Sequence, residues 1–84
     1  MSLADDVRNY CIEHYINPAR IEHIQNITIR AGDVHNELNY RNRMPLVCSS
    51  LGTHRFEERA NVERLNITGP ANGANTEYHF RIIY

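Results

Sequence analysis

The stretch "RNRMPLVCSSLGTHRF", residues 41–56, decides the fold, because it can form a helix with one apolar side. At about 100° per residue, four apolar side chains cluster within about 100° of the helical wheel and predict a buried face. These side chains are Met44, Val47, Cys48 and Leu51. Asn42 is predicted to cap the helix, Pro45 is tolerable only within its first turn, and Gly52 weakens or ends it. We therefore expect a helix over residues 43–51.

The N-terminal residues have the pattern of an amphipathic helix. Ser2 followed by Asp5 resembles a capping box, and an apolar stripe then recurs at helical spacing. The stripe consists of Leu3, Val7, Tyr10, Cys11 and His14. The pair Asn17-Pro18 is predicted to stop the helix, because the residue before a proline is pushed out of the helical region. The first helix is therefore predicted over residues 3–16. The following segment "PARIEHIQN" is interpreted as a connector or as one more short turn of helix that holds Ile21 and Ile24.

A strand and a second helix are predicted between these two segments. "NITIRA" alternates apolar and polar side chains, which indicates a short strand over residues 26–30. The following residues return to helical spacing, with Val34 and Leu38 four positions apart. A helix over residues 31–38 and a turn at Asn39 and Tyr40 would then lead into the helix of residues 43–51.

The C-terminal residues change to a period of two. "THRFEERAN" is predicted to add one more helical turn, with Phe56 packed inward. "VERLNIT" and "TEYHFRIIY" alternate around the loop "GPANGAN", which predicts a β-hairpin of residues 62–68 and 76–83 with a protruding loop. The predicted core of the whole chain is Val7, Cys11, Ile29, Val34, Leu38, Val47, Leu51, Phe56, Leu65, Ile67, Phe80 and Ile82.

Composition predicts one soluble globular domain over residues 1–84. The chain is 42% apolar and 23% charged, and no stretch reaches the roughly 18 apolar residues of a membrane span. The acidic start "MSLADDVRNY" is unlike a signal peptide, and Cys11 and Cys48 stand alone in their segments, so we expect a cytoplasmic protein with reduced thiols. The formal net charge is −1, but residues 1–40 carry −3 and residues 41–84 carry +2, and all nine basic residues are Arg.

The order helix, strand, helix, helix, strand, loop, strand resembles the winged-helix family of helix-turn-helix domains, over essentially the whole chain. The run "ITIRAGDVHNELNYRNRMPLVCSSL" also looks like one that recurs in small uncharacterised prokaryotic proteins. The winged-helix resemblance implies an α+β fold with three helices and a small antiparallel sheet, in the order α-β-α-α-β-β. It also implies that the third helix lies in the major groove of DNA and that the hairpin loop contacts the neighbouring backbone.

The predicted function is a non-catalytic module that binds double-stranded DNA in a regulatory or DNA-processing setting. Arg offers a planar fork suited to phosphates, and Asn, Ser and Thr can hydrogen-bond base edges or phosphates. Pro45 and Leu46 weaken the reading face, so phosphate contact is better supported than base readout. The candidate DNA-binding residues are Arg41, Asn42, Arg43, Leu46, Ser49, Ser50, Thr53, His54, Arg55, Arg59, Asn72 and Asn75.

Other functions stay open at this point. A protein-interaction or homodimerisation domain, built on the first helix or on the strand ending in "RIIY", is the main alternative to DNA binding. Cys48 with His35 or His54 would make a thiol–imidazole pair, and Ser49 or Ser50 with His54 and Glu57 or Glu58 would make a hydrolytic triad. Neither has a supporting motif, and the five histidines lack the spacing of a zinc site. We therefore predict no catalytic residue, metal or cofactor, and no membrane partner.

Overall fold

The computed structural model describes residues 2–84, and its first helix, α1, has three parts. Leu3–Cys11 and Asn17–Ile21 are α-helical, and Ile12–Ile16 between them form a π-helical turn. The predicted end of this helix at residue 16 is therefore wrong. In the π turn the Asn17 N–H donates to the Ile12 carbonyl, five residues back. This wider turn relieves the clash of the Pro18 ring with the preceding turn, so the helix continues.

The start of α1 is capped as the sequence predicts. The Ser2 side chain accepts a hydrogen bond of 3.1 Å from the Asp5 N–H. The Asp5 carboxylate does not complete a capping box, because it accepts hydrogen bonds from the side chains of Arg8 and Arg59 instead.

The remaining elements confirm an α+β fold with a small antiparallel sheet. After α1 come β1, α2, α3, α4, β2 and β3, which span Asn26–Arg30, Ala31–Glu37, Met44–Gly52, His54–Ala60, Val62–Thr68 and Glu77–Ile82. Residues 2–84 form four helices rather than the expected three, because "HRFEERA" forms a helix of its own rather than one further turn. Thr53 separates it from α3 with an extended backbone (φ −93°, ψ 153°). The buried Phe56 and Ala60, four residues apart, hold α4 against the rest of the fold.

The sheet has the order β1-β3-β2, and both outer strands run antiparallel to β3. The predicted hairpin is confirmed, with Val62 opposite Ile82 and Thr68 opposite Glu77. Tyr78, Phe80 and Ile82 face the helices, and the Phe80 ring lies 5.2 Å from the Phe56 ring between centroids. Within residues 2–84 no helix has the length and apolarity that crossing a membrane requires.

The prediction that Leu65 and Ile67 belong to the core is wrong. Leu65 and Ile67 are 50% and 45% exposed. The register of β2 shifts between Arg64 and Asn66, so Leu65 has no partner on β3. Ile67 is exposed because β2 is an edge strand, and no further strand within residues 2–84 covers its outer side. Leu38 is only partly buried. The other nine predicted core residues are buried, namely Val7, Cys11, Ile29, Val34, Val47, Leu51, Phe56, Phe80 and Ile82.

The hairpin loop is folded back onto the domain, contrary to the expectation that it protrudes. The N–H groups of Ala31 and Gly32, at the start of α2, donate to the carbonyls of Thr76 and Ala74, each at 2.9 Å. A Cβ atom at Gly32 would lie 2.6 Å from the Ala74 oxygen, so this approach requires glycine. The loop thus satisfies backbone donors of α2 that have no partner within the helix.

Candidate nucleic-acid interface

The turn between α2 and α3 is fixed by its backbone and by one histidine. Asn39 and Asn42 have positive φ angles of 60° and 54°. The prediction that Asn42 caps α3 is wrong. Arg43 holds the capping position without a side-chain cap, and its N–H donates to His35 Nε2 over 3.2 Å. Because Asn adopts the left-handed region more readily than most residues, these two asparagines suit the turn that presents Arg41 and Arg43.

Arg41 and Arg43 are exposed, and in residues 2–84 their side chains make no hydrogen bond or ion pair. Glu37, the acidic residue nearest to them in sequence, is held elsewhere. Its carboxylate accepts hydrogen bonds of 2.8 Å from the hydroxyls of Tyr10 and Tyr15. The hydrogen bond to Glu37, together with partial burial, raises the pKa of Tyr10 to about 12. The turn therefore presents two cations that form no ion pair with a carboxylate of the described residues.

The outward face of α3 is small and weakly polar. Pro45 and Ser49 are exposed and Leu46 is partly buried. Both Ser49 and Ser50 donate their hydroxyls to the Leu46 carbonyl, at 3.1 and 2.6 Å. Ser50 is fully buried, so it does not belong to the exposed surface to which the sequence assigned it. Pro45 lies within the first turn, as predicted. Val47, Cys48 and Leu51 are buried and Met44 is partly buried, which confirms the predicted core side of the helix.

At the other end of α3 the candidate residues are held by the protein itself. Thr53 Oγ1 accepts a hydrogen bond of 3.3 Å from Arg8. The exposed His54 places Nδ1 2.6 Å from Glu57 and Nε2 3.5 Å from Glu58, so two carboxylates flank its ring. Arg55 at this end is exposed, and its side chain has no hydrogen-bond or ion-pair partner among the described residues.

Arg59, four residues after Arg55, is tied to α1. Its Nη1 donates to Asp5 Oδ1 at 2.8 Å, and its Nη2 donates to Asn9 Oδ1 at 2.6 Å. Arg8 shares the same Asp5 oxygen at 3.0 Å. Partial burial acts to raise the pKa of Asp5, but the Arg8 hydrogen bond and the charges of Arg59 and Arg8 outweigh it and lower that pKa below its usual range.

The loop asparagines differ in availability. Asn75 Oδ1 accepts a hydrogen bond of 2.5 Å from Arg30, whose other terminal nitrogen donates to Asp33 at 2.8 Å. Asn72 is exposed with a positive φ of 55°. Of the two loop residues predicted to contact a backbone phosphate, Asn72 therefore has the freer side chain.

A groove between α4 and β2 has more acidic than basic side chains in its lining. The carboxylates of Glu57, Glu58 and Glu63 line it, together with His54 and Arg64. Glu57 accepts a hydrogen bond of 2.8 Å from the Arg64 N–H. This bond is the main cause of the lowered pKa of Glu57, and the contact with His54 lowers it further. Glu57 is therefore ionised at neutral pH.

The groups considered for catalysis or metal binding are engaged elsewhere. Cys48 is 2% exposed, and burial raises the pKa of the buried Cys11 to about 12, conditions that disfavour a reactive thiolate. The hydroxyls of Ser49 and Ser50 donate to a carbonyl within their own helix rather than to His54. Among residues 2–84 no group of three or more His, Cys, Asp or Glu side chains is placed to hold a metal ion.

Comparisons with protein-family models, curated proteins and solved structures found no match to this chain. Its function must therefore be inferred from its own residues. Sequence reasoning missed the roles of Asp5, Asn9 and His35 at this surface. The spacing of three residues between Asp5 and Arg8 is a local signal for an ion pair, but Asp5 and Arg59 are 54 residues apart, and no pattern in the sequence joins them.

Proposed function

We propose that the chain is a winged-helix-like domain that binds double-stranded DNA through α3 and mainly contacts phosphates. The element order and the sheet order β1-β3-β2 fit this family, with α4 as an addition. The observation that carries the proposal is the position of the unpaired cations. Arg41 and Arg43 lie in the turn before α3, and Arg55 lies three residues after its end, in the first turn of α4.

Exposed cations before and after α3 support phosphate contacts beside the major groove. A recognition helix lies in this groove, whose width of about 12 Å matches the diameter of a helix with its side chains, about 10–12 Å. Arg41 and Arg43 before α3 and Arg55 after it would then be placed to contact the phosphates that border the groove. The small exposed side chains of Pro45 and Ser49 let the helix approach closely, while they offer little base readout. The proposed binding is therefore strongly dependent on salt and weakly dependent on sequence.

The experiment is a fluorescence-anisotropy titration of a random-sequence duplex at about 50 and about 200 mM salt. The double variant Arg41→Gln/Arg43→Gln should make the slope of log affinity against log salt shallower by about 1.8. Each phosphate contact in B-DNA contributes about 0.9 to the steepness of that slope. Leu46→Ala should leave the slope unchanged, since leucine neutralises no phosphate.

The matched control is Arg81→Gln, compared with Arg43→Gln. Arg81 is exposed, pairs with Glu63 at 2.5 Å, and lies on the sheet face opposite the buried side chains of β3. Both substitutions remove one positive charge, but only Arg43→Gln should lower the slope. If the wild type does not bind duplex even at low salt, the DNA proposal is wrong. The candidate left is then a protein partner at the exposed apolar residues Ile21, Ile24, Ile83 and Tyr84.

A further inference from the structure

Arg59 differs from the unpaired arginines in that other residues of the protein bind its side chain. It lies four residues after Arg55 in α4, so the two side chains share one face of that helix. The Arg59 side chain is 38% exposed, so solvent and ligands can reach it. Both of its terminal nitrogens, however, donate to α1, one to Asp5 and one to Asn9.

The neighbouring Arg8 cannot take the place of Arg59 at the surface. Its side chain is 8% exposed, and its terminal nitrogens donate to Asp5 and Thr53. Asp5 therefore has two contacts through one carboxylate oxygen. With Arg8 it forms a partly buried pair within the fold, and with Arg59 it forms an exposed pair at the edge of the candidate interface.

We propose that Asp5 sets the number of phosphates this surface can contact, because its carboxylate occupies at Arg59 the position that a DNA phosphate would take. The inference rests on the proposed function and deepens it. Carboxylates and phosphates bind a guanidinium with the same geometry. A phosphate must therefore displace Asp5 before Arg59 can contribute to binding, and a surface without the Asp5 charge has one more phosphate contact available.

Asp5→Asn and Asp6→Asn are a matched pair that tests the proposal. Both remove one negative charge from the first turn of α1, so they change long-range repulsion of DNA equally. Asp6 is exposed, and its side chain makes no hydrogen bond or ion pair within residues 2–84. Asparagine at position 5 keeps an oxygen that can accept from Arg8, so the buried guanidinium retains a partner. Its neutral amide binds Arg59 less strongly than a carboxylate does, so a phosphate displaces it more readily.

The measurement is the salt slope of duplex binding for the wild type and both variants. Asp5→Asn should steepen the slope by about 0.9, so that the affinity lost over a fourfold rise in salt grows by a factor of about 3.5, while Asp6→Asn leaves the slope at its wild-type value. Adding Arg59→Gln to Asp5→Asn should return the slope to the wild-type value, because the extra contact is made by Arg59.

Each outcome decides the proposal. Equal slopes for Asp5→Asn and Asp6→Asn in a domain that binds duplex would overturn the role of Asp5 and leave the proposed function standing. No binding by any variant at low salt would overturn both, and binding by Asp5→Asn alone would support both. Circular dichroism checks that Asp5→Asn folds. If it does not fold, Arg59→Gln in the otherwise wild-type chain takes its place. Because Asp5 already binds Arg59, this variant should keep the wild-type slope, and a slope shallower by about 0.9 would overturn the proposal.

Discussion

At the N-terminal end of α3, Arg41 and Arg43 are exposed and unpaired in the described residues, whereas beyond its C-terminal end Arg59 is bound to Asp5 and Asn9. The residue type is the same at both ends. The difference in pairing comes from which groups bind the carboxylate near each end. Glu37 is held by two tyrosine hydroxyls, while Asp5 is held by two guanidinium groups.

This comparison shows that a formal charge count says little about the charge a surface presents. The chain carries −1 overall, yet the turn before α3 displays two cations without local compensation. Ion pairs at exposed sites contribute at most about 1 kcal/mol each, so their effect on stability is small. Their effect on binding is larger, because a guanidinium that is already paired releases fewer DNA counterions.

The largest expected effect contrasts Arg8 with Arg41. Arg8→Ala should lower the free energy of unfolding by about 2–3 kcal/mol, because it removes a largely buried side chain and its bonds to Asp5 and Thr53. Arg41→Ala should change it by less than about 0.5 kcal/mol, since Arg41 is exposed and unpaired. Urea denaturation of both variants measures the difference. Equal losses would show that the two ends of α3 are not held differently.

A smaller effect is expected in the backbone of the turn that presents Arg41 and Arg43. Asn42 has a φ of 54°, a conformation that costs an L-residue other than Asn or Gly about 1–2 kcal/mol. Asn42→Ala should therefore lower the free energy of unfolding by about 1 kcal/mol, and Asn42→Gly should change it by a few tenths. Urea denaturation of the two variants gives the ranking. If Ala were as stable as Gly at this position, the left-handed conformation would not be what holds the turn.

Local patterns predicted the parts of the fold that depend on neighbouring residues. The Ser2 cap, the place of Pro45 in the first turn and the buried side of α3 follow from helix geometry alone. The hairpin followed from the change to a period of two. The failures lie where one residue departs from a regular repeat. Pro18 is visible in the sequence, but it predicts the end of a helix rather than the π turn with which the helix continues. No distinct residue pattern marks the register shift at Leu65.

The residue types of the candidate site could be predicted from the sequence. Which of its side chains are exposed and unbonded could not. Arg41, Arg43 and Arg55 were identified from charge and position, and they are exposed. That Ser50 is buried and that Asn75 and Arg59 are already bonded depends on tertiary contacts with residues far away in the chain. The spacing of side chains along one helix carries no information about such contacts, so the sequence overestimated the size of the exposed surface.

The smallest expected effect concerns Glu37, whose carboxylate is bound by two tyrosine hydroxyls and forms no ion pair with Arg41 or Arg43. The pKa of Tyr10 is raised to about 12 in the folded chain, mainly by its hydrogen bond to Glu37, and is about 10 in an unfolded chain. Folding therefore favours the protonated hydroxyl. The stability that this bond contributes is fully present below about pH 10 and is lost as the pH rises from about 10 to about 12.

Glu37→Gln removes the carboxylate that raises this pKa, so the pKa of Tyr10 should move down towards 10. Burial and the same carboxylate also raise the pKa of Tyr15, which should fall in part. The tyrosinate absorbance of the variant should then rise at lower pH than that of the wild type. Its free energy of unfolding should fall less steeply between about pH 10 and 12.

The control is Tyr84→Phe, which removes an exposed phenol that is bonded to the Ile24 carbonyl rather than to Glu37. This substitution should leave the pH range of the Tyr10 titration unchanged. Identical absorbance curves for Glu37→Gln and the wild type would mean that Glu37 is not held by the tyrosines. It would then be available to neutralise the arginines of the turn, and the contrast between the two ends of α3 would be lost.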